Sequence, residues 1–209
     1  MADPADATPA GEKPAEEQPG EGKRRQLWRA LVETVIISLV AVLVVGLVRT
    51  FAFQPFEIPT GSMVPTLGVY DRILVQKAFF SWHDVREGDI VVFGRPPLFN
   101  CGGPPENVLV KRVIALPGQT IYSAGNSIYV NGRLLAEPYL PHYDPLGPPI
   151  PDATRQHPYR LPAGEFFVMG DNRADSCDSR YWGPIKGSSI IGKVVAVVWH
   201  DSHPEFRRF

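Results

Sequence analysis

The chain has 209 residues, 21 Lys and Arg against 22 Asp and Glu, a formal net charge of -1 and 44% hydrophobic residues. That balance removes the electrostatic case for a nucleic-acid binder, which needs a basic face. Two cysteines without a C-x-x-C exclude a disulfide-stapled mini-fold and a cysteine-rich zinc module, and the five histidines form no H-E-x-x-H.

Residues 1–26 read as a disordered tail. Pro4, Pro9, Pro14 and Pro19 interrupt it, Glu16, Glu17 and Glu21 charge it, and it has almost no large apolar side chains to offset the entropy of ordering. Residues 27–50 read as a membrane anchor. Thr34 to Val48 carries no charge, which as a helix is about 22 Å. That is short of a full span, but Arg29 and Arg49 can snorkel from its ends. The run from Val35 to Val45 is apolar on every face, unlike an amphipathic surface helix. No small-x-small site follows, so the segment is expected to stay uncleaved. Lys23, Arg24, Arg25 and Arg29 precede it and only Arg49 follows closely. The positive-inside rule therefore keeps the tail in the cytoplasm and puts residues 51–209 outside.

The body reads as mainly β. Asp71 to Gln76, Asp89 to Phe93, Val108 to Leu116, Glu165 to Gly170 and Gly192 to Trp199 are short apolar runs bounded by glycine, proline or charge. Asn131-Gly132 between two apolar arms is a hairpin signal, because both residues tolerate positive φ. Pro138 to Pro162 has no period and reads as a long surface excursion. With 19 Gly and 22 Pro and no helical period between strands, an antiparallel, barrel-like sheet is expected.

Three local patterns carry possible chemistry. Gly61 frees the backbone before Ser62 and Pro65 interrupts regular structure after it, so the serine hydroxyl is presented on a turn. Taken alone, this is also the pattern of an ordinary loop serine. None of the histidines offers an evident base, and there is no G-x-S-x-G elbow. Lys111 shares a strand face with Leu109, Val113 and Ala115. Loss of hydration there favours a neutral amine able to take a serine proton; an isolated strand lysine that snorkels or pairs with an acid is the plainer alternative. Gly170 to Gly183 packs Asp, Asn, Arg and Ser between apolar runs. It lacks the glycine and closing Glu of an EF-hand, and reads as a rigid wired loop or as support for a catalytic group.

The anchor, followed in order by Phe56 to Leu67 around Ser62, Gly88 to Phe93, Val110 to Gly118 around Lys111, and Gly170-Asp171-Asn172-Arg173 with Asp178 to Gly183, resembles the bacterial type I signal peptidases. The resemblance runs from about residue 27 to 199. It implies an all-β catalytic fold with an accessory β region at about 119–168. It implies a Ser/Lys dyad of Ser62 and Lys111, with an oxyanion hole from Thr60 and the Ser62 N–H. Ser176 would hydrogen-bond the lysine, with Asp178, Arg180, Asp171 and Arg112 as supports. Ile58, Met63, Leu67 and Val110 would line shallow pockets for small residues before the cut. Ala174 departs from the family, which often has an acid there, and Val64 replaces a commonly larger residue.

No metal or cofactor is expected. The expected partners are signal-peptide-bearing preproteins and the lipid bilayer, with no nucleic acid; the expected location is the plasma membrane, single-pass. Phe51, Phe53, Phe56, Phe79, Phe80 and Trp82 are candidates for the lipid interface, and Phe79 to Trp82 equally for the core. A Cys101–Cys177 disulfide stays open at this stage, as does a non-enzymatic anchored β module, or a relative dedicated to a few conjugation or pilus proteins.

Overall fold

The computed structural model describes residues 20–78, 80–99, 101, 107–140, 147–200 and 203–209. The chain divides into two compact units, Met1–Leu47 and Val48–Phe209. Helix α1 runs Glu21–Ala52. Its stretch Gly22–Gly46 has a mean hydropathy of 2.2 and is exposed throughout. At 1.5 Å per residue, 25 residues measure about 37 Å, more than a ~30 Å hydrocarbon core. By length and composition it is able to cross a membrane. Residues 21–26, expected in the tail, are its first turns; residues 1–19 lie outside the described residues.

Among the described residues the second unit holds twelve strands, in chain order β1 Phe53–Glu57, β2 Arg72–Gln76, β3 Ile90–Gly94, β4 Val108–Ala115, β5 Thr120–Ala124, β6 Ser127–Val130, β7 Arg133–Leu134, β8 Tyr159–Arg160, β9 Glu165–Met169, β10 Ile185–Lys186, β11 Ile190–His200 and β12 His203–Arg208. They form two antiparallel sheets. The larger has the order β1-β2-β11-β3-β4-β9-β10, with β12 also on β11, and the smaller β7-β6-β5-β8. The mainly β, antiparallel architecture expected from the turn-rich sequence is therefore present. Asn131 and Gly132 both have positive φ and join β6 to β7, as the hairpin signal predicts.

Two expectations need correction. The accessory region, expected at about 119–168, is shorter: β9 belongs to the main sheet, between β4 and β10, and the smaller sheet occupies Thr120 to Arg160. The Pro-rich stretch is more than a surface excursion. It contributes β8 to the smaller sheet and buries Ile150, Ala153 and Leu161. A proline spacing has no period to read, yet single apolar residues between prolines still reach the core. Residues 141–146, with His142, lie outside the described residues.

Three apolar clusters lie among the described residues of the unit. One joins the two sheets through Ile114, Ile121, Ile128 and Phe167. A second, with Phe93, Leu109, Val113 and Trp182, packs against half-buried Phe80 and Trp82. A third, with Ile58, Met63, Leu67, Ile73 and Val194, has Phe56 against it. Phe56, Phe80 and Trp82 are therefore half-buried against the core, and Trp82 lies over Gly187, where an added Cβ would sit 2.6 Å from the indole. Phe53 is exposed; Phe79 and the Phe51 side chain lie outside the described parts. Strand β4 is buried along almost its whole length, and its apolar run is broken only by Lys111 and Arg112, both buried. Cys101 and Cys177 form a disulfide with Cα atoms 6.2 Å apart, within the range such a bridge spans.

Candidate active site

Ser62 lies in a single 3-10 turn, Gly61–Met63, entered from an extended Thr60 and left through an extended Val64. The turn stops there because Val64 precedes Pro65, and a residue before proline disfavours helical backbone. Met63 is buried in the core and fixes the turn, while Ser62 stays half-buried at its surface. A short helix leaves its first N–H groups without an intrahelical acceptor, so the Ser62 amide sits where an anion could be received. Thr60 Oγ1 does not cap the turn; it lies 3.4 Å from Ser62 Oγ.

Lys111 comes from the middle of β4, 49 residues away in the chain, and is 3% exposed. Leu109 and Val113, its neighbours on the strand face, are buried. Its Nζ donates a hydrogen bond to Ser62 Oγ. Burial disfavours the charged form of an amine, and a neutral amine in this contact is a proton acceptor for the hydroxyl. Serine and lysine, inferred separately from a turn and a strand, are thus brought into direct contact.

The turn is held from behind by the segment after β9. Asn172 N donates to the Ser62 carbonyl at 3.1 Å, and Asn172 Nδ2 to the Gly61 carbonyl at 3.2 Å. This approach requires Gly170. A Cβ there would lie 2.3 Å from the Ser62 carbonyl oxygen and 2.2 Å from Ser176 Oγ. Ser176 is therefore at the site, but the hydrogen bond expected from it to Lys111 is not formed. Its Oγ is buried without a hydrogen-bond partner.

Buried charge pairs fix this segment. Arg112 grips Asp171 in a two-pronged pair, Nε to Oδ1 at 2.8 Å and Nη2 to Oδ2 at 2.6 Å. It also donates to the Gly88 carbonyl at 2.7 Å and lies 3.9 Å from the centre of the Tyr139 ring. Asp178 caps the short helix α2, Ser179–Trp182, accepts the Gly170 N–H at 3.1 Å, and pairs with Arg180 at 2.8 and 2.7 Å. Arg180 passes the tie on to the carbonyls of Arg173 and Ser176. All four expected supports are buried. They act by holding the loop, and among the contacts described none reaches Ser62 Oγ or Lys111 Nζ.

A small cavity of about 110 Å³ opens beside the pair. Ile58, Thr60, Ser62, Met63, Val110 and Lys111 are among its lining residues. Leu67, expected in a substrate pocket, is completely buried in the core and does not line it. One helical-type hydrogen bond, Leu67 N to the Met63 carbonyl, turns it inward.

Five residues around the site escaped sequence reasoning: Gly170, Asn172, Arg173, Glu137 and Tyr139. Arg173 is fully buried, donates from Nε to the Gly170 carbonyl at 3.0 Å and pairs with Glu137. Burial, the largest single influence, opposes its charge, but the hydrogen bond and charge of Glu137 together with Tyr139 and Asp171 outweigh it, so its pKa is raised. Tyr139 donates to Glu137 Oε1 at 3.1 Å; burial first, then the Glu137 charge, pushes its phenol well above the ordinary range. Gly170, Asn172 and Arg173 stood inside a motif already singled out. Nothing in a proline-rich stretch marked Glu137 or Tyr139.

A family model described as signal peptidase, peptidase S26, matches residues 31–199. The chain is 39% identical over 166 residues to the probable signal peptidase I-1 of Synechocystis sp., covering 79% of this chain and 81% of that protein. It is 38% identical to the signal peptidase I of Leptolyngbya laminosa, covering 78% and 76%. With signal peptidase I V of Bacillus subtilis it shares 34% over 75% and 92% of the two lengths. These similarities, spanning the serine turn, the lysine strand and the loop that clamps them, establish that the chain belongs to the signal peptidase family, peptidase S26.

Proposed function

We propose that Ser62 is the nucleophile and Lys111 the general base of a membrane-anchored serine endopeptidase that removes N-terminal signal peptides from exported preproteins. The observation that carries this reading is the hydrogen bond between Lys111 Nζ and Ser62 Oγ, made by an amine that is 3% exposed. Neutral Lys111 takes the Ser62 proton as Oγ attacks the scissile carbonyl. The resulting oxyanion is received by the Ser62 N–H and Thr60 Oγ1, a kind of contact that contributes about 3 kcal/mol to such barriers. The ammonium of Lys111 then protonates the leaving amine. In the second half, Lys111 takes a proton from the water that hydrolyses the Ser62 ester. The small cavity beside the pair, with Ile58, Met63 and Val110 in its walls, favours small side chains before the cut.

The anchor helix supports a membrane location. Lys23, Arg24, Arg25 and Arg29 favour a cytoplasmic N-terminus, which puts the catalytic unit on the outer side of the plasma membrane. An enzyme tethered there meets membrane-inserted signal peptides at high effective concentration.

The test is cleavage of a preprotein in detergent by the full chain and by Ser62→Ala, Lys111→Ala and Lys111→Arg. All three variants are expected to lose at least about 10³-fold in kcat while remaining folded. The Arg variant keeps size and charge but cannot lose its proton. Cleavage by Ser62→Ala or Lys111→Arg at the wild-type rate would refute the dyad.

A further inference from the structure

The turn that follows the nucleophile, residues 64–71, is braced by the far end of the chain. Leu67 is its buried anchor, whereas Val64, Pro65, Val69 and Tyr70 are exposed. Asp71, with no exposed surface, accepts the Gly68 N–H on Oδ2 at 2.8 Å. His200 Nδ1 lies 2.7 and 2.9 Å from its two carboxylate oxygens. Register dictates this meeting: Trp199 faces Arg72 across β11 and β2, so His200 falls beside Asp71. From β12, Arg207 Nη2 donates to the Thr66 carbonyl at 2.6 Å.

The turn is in mechanical contact with the nucleophile. Leu67 N donates to the Met63 carbonyl at 2.9 Å and Val64 N to the Gly61 carbonyl at 3.1 Å. At the base, Tyr70 N donates to the Ile58 carbonyl and Ile58 N to the Asp71 carbonyl. A shift of Thr66 or Asp71 therefore moves the short helix that carries Ser62. Arg207 Nε is buried without a partner, which costs stability, so packing alone does not explain why this arginine reaches inward. Both His200 and Arg207 lie past residue 199, where the family match ends.

We propose that His200 and Arg207 are positioning residues that fix the 64–71 turn and through it the distance from Ser62 Oγ to Lys111 Nζ. The proposal rests on the reading of Ser62 and Lys111 as the catalytic pair. Neither residue touches substrate; each acts through the turn's backbone.

The experiment uses the full chain in detergent. His200→Ala and Arg207→Ala are each expected to lower kcat about tenfold, with KM within about twofold, as misplacement of a reacting group does. His200→Asn and Arg207→Lys, which keep a donor at the same place, restore most of the loss. Amide exchange in peptides covering 64–71 speeds up in both alanine variants, and does so equally in a Ser62→Ala background. Unchanged exchange and unchanged kcat overturn the proposal. So does a kcat loss that tracks the fall in melting temperature and is not restored by Asn or Lys. Activity surviving in Ser62→Ala instead overturns the catalytic pair, and the exchange result separates that failure from failure of the brace.

Discussion

Replacing Gly170 by alanine tests whether the loop after β9 sets the position of the nucleophile. The backbone at Gly170 is not left-handed, so the substitution carries no conformational strain of its own and acts by contact alone. Its new methyl would sit 2.2 Å from Ser176 Oγ, 2.3 Å from the Ser62 carbonyl oxygen and 2.6 Å from Ser176 Cβ. The serine side chain has freedom to turn away, but the Ser62 carbonyl is backbone. Ordinary contact begins near 3.4 Å, so the two backbones must separate by about 1.1 Å. The Ser62 carbonyl is also the acceptor for Asn172 N, and that bond breaks in the same movement. Misplacing a reacting group by 1 Å costs about 10²-fold in rate, and overpacking a core costs roughly 1–3 kcal/mol of stability. The assay is preprotein cleavage below the melting temperature, with kcat and KM separated. kcat is expected to fall about 10²-fold. A Gly170→Ala, Ser176→Gly double variant removes two of the three clashes and is expected not to recover activity, because the clash with Ser62 remains. Wild-type kcat in Gly170→Ala, or full recovery in the double variant, would show that the Ser62 carbonyl does not govern the geometry.

Two further outcomes follow from the buried charges. Arg112→Met leaves Asp171 buried without its partner, a change that costs about 3–5 kcal/mol and lowers the melting temperature by roughly 6–20 °C; thermal unfolding of the double variant Arg112→Met, Asp171→Leu should recover part of that loss. Tyr139 has a folded pKa raised by burial above the unfolded value of about 10. Between those two values the folded state binds the extra proton, so stability is complete below pH ~10 and declines as pH rises beyond it. Tyr139→Phe should flatten the alkaline fall in stability measured by denaturant midpoint from pH 9 to about 11, and an unchanged slope would contradict the assignment.

What the sequence disclosed, and what it hid, divides along a physical line. Period and punctuation report which face of an element is buried, so the all-round apolar helix, the strand runs, the Asn131-Gly132 hairpin and the anomaly of a lysine on an apolar face of β4 were all legible. Lys111 was the sharpest case: an ammonium amid Leu109 and Val113 is costly unless it has work or a partner, and the structure gives it Ser62. Side-chain reach across the fold has no such local signature. Asn172 holds Gly61 across 111 residues, Arg112 holds Asp171 across 59, and Arg173 meets Glu137 across 36. Each contact depends on where strands were placed by the sheet order, which hydropathy does not encode. The same reason explains Leu67. Its motif position implied a substrate wall, but one backbone hydrogen bond to Met63 turns it into the core. Ser176 shows the limit from the other side. Being beside the site was inferable from its box. Whether its hydroxyl reaches the Lys111 amine depends on how the Ser62 turn and the 170–178 loop meet, and the closeness of that meeting requires a glycine with no side chain to read.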